Sequence, residues 1–172
     1  MKVIEQEIHS LKNSISEMWA LVHQQLYNAG EAMLTGDKEL AYKVISRERR
    51  VNAFELKIDS DCEDIIALYA PVAIDLRFVL AMYKINTNLE RLGDFAESIA
   101  RFAGNLPEGE PIDPQLVKET RVEERLSELL SMISLTKEAF EKESSEIASR
   151  IFLKDNLIDE INHNSTAIIA KY

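Results

Sequence analysis

Glu90, Asp94 and Glu97 stand at positions i, i+4 and i+7 of the stretch NLERLGDFAESIARF, residues 88–102. On a helix turning about 100° per residue this spacing lines three carboxylates along one narrow stripe, where like charges repel by about 0.3 kcal/mol per pair. Such a stripe either stays solvated or takes up a cation. Leu89, Leu92, Phe95, Ala96, Ile99, Ala100 and Ala103 fall on the broad opposite side, which reads as a core face. Gly93 interrupts the helix at a cost of about 1 kcal/mol relative to alanine, which implies that a packed neighbour approaches the backbone there.

Other chemistry is sparse. Glu160 and His163 form one Glu-x-x-His, the spacing that ferritin-like di-metal bundles use on each of two helices. His9 and His23 lack a glutamate three residues before them, so a second copy is missing and an oxidase of that kind is disfavoured. No G-x-x-x-x-G-K-[ST] loop is present to cradle a nucleotide phosphate, and no Ser-His-Asp arrangement can be proposed from the spacing. The sequence does not read as an enzyme.

The elements that must carry these residues follow from the apolar rhythm. Residues 4–33 repeat apolar side chains every three or four positions and predict one long helix. Thr35-Gly36-Asp37 then supplies a C-terminal glycine and a capping aspartate, the chemistry of a tight turn between antiparallel helices. A second helix is expected from Lys38 to about Tyr69, and Pro71 reverses the chain into a third over about 72–103. Asp75, near the start of the third, suits the positive end of its dipole. Residues 104–113 break the rhythm and read as a linker. Beyond them a fourth helix is expected over about 115–142 and a fifth from about Ser145 onward.

Composition narrows the function. With 172 residues and 46% hydrophobic content the chain is long and apolar enough for a folded core. Its 20 basic and 30 acidic residues give a net charge of −10, which opposes general nucleic-acid binding. Cys62 stands alone, so there is neither an internal disulfide nor a thiolate cluster, in keeping with a reducing compartment. The longest apolar run, residues 65–74, is too short to span a bilayer. A cytoplasmic chain, peripheral to a membrane at most, is expected. The two parts also align with an offset of 107, pairing Trp19, Val22 and Leu26 with Leu126, Leu129 and Ile133, and Glu48 and Asn52 with Asp155 and Asp159.

Two motifs carry a family resemblance: PVAIDLR at residues 71–77 and LERLGD at 89–94. Together they closely resemble the signature of the PhoU family, cytoplasmic accessory proteins of bacterial phosphate uptake, and the resemblance extends over most of residues 1–103. It implies an all-α fold of two three-helix repeats, each with an acidic E/D-x-x-x-D motif. Residues 1–103 are the expected first repeat, 104–113 the linker and 114–172 the second. That second repeat is expected to stop after two helices, giving about five long antiparallel helices. The residues left uncovered, Leu129, Ile133, Ile151, Ile158 and Ile168, are expected to be buried by a second copy in a homodimer.

The resemblance further implies regulation rather than catalysis, through binding a phosphate ABC transporter and a phosphate-sensing histidine kinase. Some members hold iron or zinc. Carried over, Glu90 and Asp94 are the motif carboxylates, and Glu48, Asp155 and Asp159 take the related acidic positions on neighbouring helices. Carboxylate oxygen suits magnesium, manganese or iron, with zinc also open. Two other readings stand beside this one: a cytosolic PhoU-like domain of a sodium-dependent phosphate cotransporter, and a metal-holding bundle without partners.

Overall fold

The apolar stripes wind into helices. A computed structural model, which describes residues 3–107 and 111–171, contains α1 (Val3–Thr35), α2 (Lys38–Tyr69), α3 (Ala73–Asn105), α4 (Pro114–Glu119), α5 (Val122–Glu141) and α6 (Ser145–Ile169). No described helix is long and apolar enough to cross a membrane. Of the linker expected over 104–113, residues 108–110 lie outside the described residues.

The turns follow the local chemistry. Gly36 has φ 71°, and the Asp37 carboxylate accepts a hydrogen bond from the Leu40 amide at 2.9 Å, so one turn ends and the next is capped. Asp113 caps α4 through the Gln115 amide, with Pro114 as its first residue. Ser144 caps α6 through the Ile147 amide.

The expected count of five helices, with the second repeat cut short, is corrected to six. The helix expected over 115–142 is broken between α4 and α5, where Arg121 adopts φ 51° and ψ 34°. Nothing in the local sequence announces the break, because it is held from afar. Thr120 donates its hydroxyl to the Leu116 carbonyl, and Ser165 on α6 donates to the Thr120 carbonyl at 3.0 Å. α4 packs on both α5 and α6, so the second unit has three helices like the first. Nor are the five apolar residues left bare: Ile133 is 7% exposed, and Leu129, Ile151, Ile158 and Ile168 are half-buried.

α1 is the spine. One side packs against α2 and α3, and another against α5. α5 runs antiparallel to α1: Lys12 pairs with Glu143 at 2.6 Å, Trp19 stacks on Phe140 at 5.7 Å, and His23 meets Ser134 at 3.0 Å. Farther along, Gly30 leaves room for Leu126, whose Cδ2 would lie 2.1 Å from a Cβ at that position. The fully buried side chains Leu11, Ile15, Met18, Val22 and Leu26 lie along α1. Val44, Val51 and Ile58 meet them from α2, and Val79, Met82 and Leu89 from α3.

At Gly93 the neighbour implied by the sequence is Val51. A Cβ added there would sit 2.8 Å from Val51 Cγ1, and a β-branched side chain has little freedom to move aside. Gly93→Ala should therefore lose stability on urea denaturation, by about 1 kcal/mol or more, because overpacking outweighs the roughly 1 kcal/mol gain in helix propensity. In a double-mutant cycle with Val51→Ala the loss should shrink. A stabilised Gly93→Ala would show that the contact is slack.

Candidate functional site

Val44, Glu48 and Val51 occupy one stripe of α2 at i, i+4 and i+7, and the valines on either side are fully buried. Glu48 is thereby drawn into the core face and is only 6% exposed. Neither of its carboxylate oxygens has a hydrogen-bond partner among the described residues. Gly93, by admitting Val51, brings the acidic edge of α3 alongside. The Glu48 carboxyl is pushed up to about 7, by burial first and then by the negative charges of Glu97, Asp94 and Glu90.

The stripe itself divides into two settings. Glu90 is half-buried, and its carboxyl is raised by burial, by the Asp94 and Glu55 charges and by a hydrogen bond shared with Asp94, while Arg91 pulls it back. Glu97 is engaged by Arg101, which donates to it at 2.6 Å. Glu48, Asp94 and Glu97 line a shallow groove of about 470 Å³ together with Tyr42, Arg49 and Arg101. One residue expected on the core face of α3 departs from it: Phe95 is 55% exposed. Its neighbours Leu89, Ala96 and Ala100 already fill the inner side of α3.

Asp155 and Asp159 do not join this cluster. They are exposed on α6, whose packing neighbours are α5 and α4. Asp159 borders a separate groove with Asn162 and His163. The expected metal centre of iron, zinc or manganese is corrected on the same ground: among the described residues no three His, Cys, Asp or Glu side chains converge to hold a metal ion. The donor set is split between two units, Glu97 is committed to Arg101, and Glu48 is sunk into a helix interface. Glu160 turns to Arg121 at 3.4 Å rather than toward His163. Cys62 is buried, with its thiol pushed up to about 12, so it is a packing residue and not a nucleophile.

The comparisons with known proteins fall on this same region. The PhoU domain family matches residues 15–103, a span that runs from α1 through the end of the core of α3. The chain belongs to the PhoU family. A phosphate-specific transport system accessory protein PhoU homolog from Aquifex aeolicus is 35% identical over 159 residues, covering 91% of this chain and 69% of that protein. PhoU of Escherichia coli is 34% identical over 154 residues, covering 90% of this chain and 62% of its own length. Among solved structures, PhoU from Pseudomonas aeruginosa superposes with a TM-score of 0.86 at 26% identity, covering 98% of this chain and 79% of that one. The phosphate transport system regulatory protein PhoU from Streptococcus pneumoniae gives 0.83 at 29% identity, covering 97% and 77%. Glu48, Glu90, Asp94 and Glu97 all lie inside the PhoU match, whereas Asp155 and Asp159 lie outside it.

Burial of Glu48 could have been read from the sequence, since it stands four residues after Val44 and three before Val51. Asn86 follows the same rule between Met82 and Leu89; it is fully buried and donates to the Glu55 carbonyl and the Asp59 carboxylate at 2.9 and 2.7 Å. Glu48 differs in having no such partner. Folded, it holds its proton up to about pH 7, against an ordinary value of 4.5. Its contribution to stability is therefore full below about pH 4.5 and is lost as the pH rises through 7, a swing of about 3 kcal/mol. Glu48→Gln should stabilise the protein by about 1–3 kcal/mol at pH 8 and change it little at pH 4.5, measured by denaturant unfolding at both pH values. An equal gain at the two would mean that Glu48 is not the titrating group.

Proposed function

We propose that this chain regulates phosphate uptake and phosphate-starvation signalling by binding other proteins on the cytoplasmic side of the membrane, a phosphate ABC transporter and a phosphate-sensing histidine kinase among them. The observation that carries this reading is the PhoU match over α1–α3, together with relatives whose names are those of accessory and regulatory proteins of phosphate transport. The geometry is compatible with a docking role. The three-helix unit of α1–α3 is closely packed, its perturbed carboxylate Glu48 is buried between helices and borders only a shallow groove, and large apolar side chains stand out on its surface. In this reading residues 1–103 form the unit that carries the family's properties, and residues 114–172 form a second unit braced against α1.

A reporter of the phosphate-starvation response tests it. In a bacterial strain deleted for its own PhoU gene, expression of the chain should lower the reporter at least tenfold when phosphate is plentiful and leave it high when phosphate is scarce. A reporter that stays high in both conditions, with the protein present and folded, overturns the reading.

A further inference from the structure

Three large apolar side chains crowd the turn between α2 and α3 and are left in solvent: Leu68 is 72% exposed, Val72 74% and Ile74 74%. They lie within seven consecutive residues, which puts them together at one end of the first bundle. Ile66 and, farther along α3, Leu80 are exposed as well. α1 runs antiparallel to α2, so its first residues reach this end, where Val3 is also exposed. Pro71 beneath them is buried.

The backbone holds the turn in a costly shape. Ala70 has φ 43° and ψ 56°, and Ala73 has φ 48°. For residues other than glycine this left-handed region costs about 1 kcal/mol each. Alanine at both positions keeps the turn stiffer than glycine would, with Val72 standing between them. An ordered tip that exposes apolar surface loses little further entropy when it is covered.

The charge around the tip says what covers it. Glu7, Glu63 and Asp64 are exposed at this end, Asp75 stands in the first turn of α3, and among the described residues Arg77 is the basic residue beside them. This is an apolar centre with an acidic surround, the pattern of an interface whose core is dry and whose rim is charged. A lipid surface is a poor match, because anionic headgroups repel the surround. A second copy is also a poor match: a two-fold contact would set the same acids against each other on chains of net charge −10.

We propose that Leu68, Val72 and Ile74 at the α2–α3 turn insert into an apolar groove on a partner protein whose rim carries lysine and arginine. The proposal rests on the regulatory reading above, and it names the end of the molecule through which that regulation works.

Site-specific cross-linking separates the two claims. The photoreactive residue p-benzoylphenylalanine is placed at position 72 of the full chain in living cells and, as a control, at position 153 on α6, where Leu153 is 76% exposed. Adducts are identified by mass spectrometry. The expected result is an adduct from position 72 to a subunit of the phosphate transporter or to the kinase, with none from 153. Its yield should fall at least fivefold in a Glu63→Lys, Asp64→Lys background. Binding of the purified wild-type chain to that identified protein should weaken at least tenfold with Leu68→Ser, Val72→Ser, a change of exposed residues that leaves the melting transition in place. An adduct from position 72 to a protein outside phosphate handling, cut by the charge reversal, supports the tip and overturns the regulatory reading. An adduct to a phosphate-system protein from position 153 alone keeps the regulatory reading and overturns the tip. Adducts from position 72 only to a second copy or to lipid, or none at all, overturn the tip.

Discussion

Where α3 crosses α2, Gly93 lets the Val51 side chain approach to a distance that any larger residue would forbid. Much else in the first bundle depends on that contact. Val51 is fully buried because α3 comes so close, and Glu48, one turn earlier on the same stripe, is buried with it. The carboxylates next to Gly93 on the chain are carried to the same crossing, so Asp94, Glu90 and Glu97 act on Glu48 as charges. A single missing side chain therefore sets both the helix spacing and the electrostatics.

The bundle extends this economy toward one end. Ala29 and Ala32 of α1, Ala41 of α2, and Ala96, Ala100 and Ala103 of α3 are all fully buried where the three helices meet. Small side chains permit a close interaxial approach. Toward the other end the core widens to Leu11, Ile15, Ile58 and Val79. The bundle thus tapers. The narrow end closes over a carboxyl group that would be better in water, and the wide end leaves apolar side chains in water that would be better covered. Each end breaks an ordinary rule of burial, and the packed middle supplies the stability that tolerates both.

Much of this was legible in the chain, for reasons that differ by element. α2 was expected over Lys38 to about Tyr69 and occupies Lys38–Tyr69, because Gly36, Asp37 and Pro71 act locally and their chemistry can be read directly. α1 and α3 extend a residue or two beyond their expected ends, the usual uncertainty where a final turn frays. The break at Arg121 was not legible: it depends on Ser165, 45 positions beyond Thr120, and on a left-handed arginine where a glycine would have given warning. The candidate site was legible in part. The spacing of Glu90, Asp94 and Glu97 identified a charged edge, and the neighbour at Gly93 was implied. Bringing Asp155 and Asp159 to that edge needed α6 to pack on α2 or α3, which an internal repeat suggests but does not require. Phe95 misled for a simpler reason: an apolar residue at the margin of a helix face can turn either way, and the narrow contact at Gly93 leaves no room for it inside.

Burial also differs between the two units in a way that bears on regulation. In α4–α6 and their connections the buried residues are few, among them Ile133, Ala139, Ile161 and Ser165. α6 is tied to its neighbours by Lys154 to Glu128 at 2.7 Å and by the Ser165 hydroxyl, rather than by a deep apolar seam. Segments with few buried contacts open at lower free energy than the global unfolding of the domain. α5 is anchored to α1 through Trp19 and Phe140, whereas α4 and α6 pack mainly on α5 and on each other. A protein built this way has a rigid part that fixes the geometry of its surface and a looser part that can be reset at small cost, and the PhoU match falls on the rigid part.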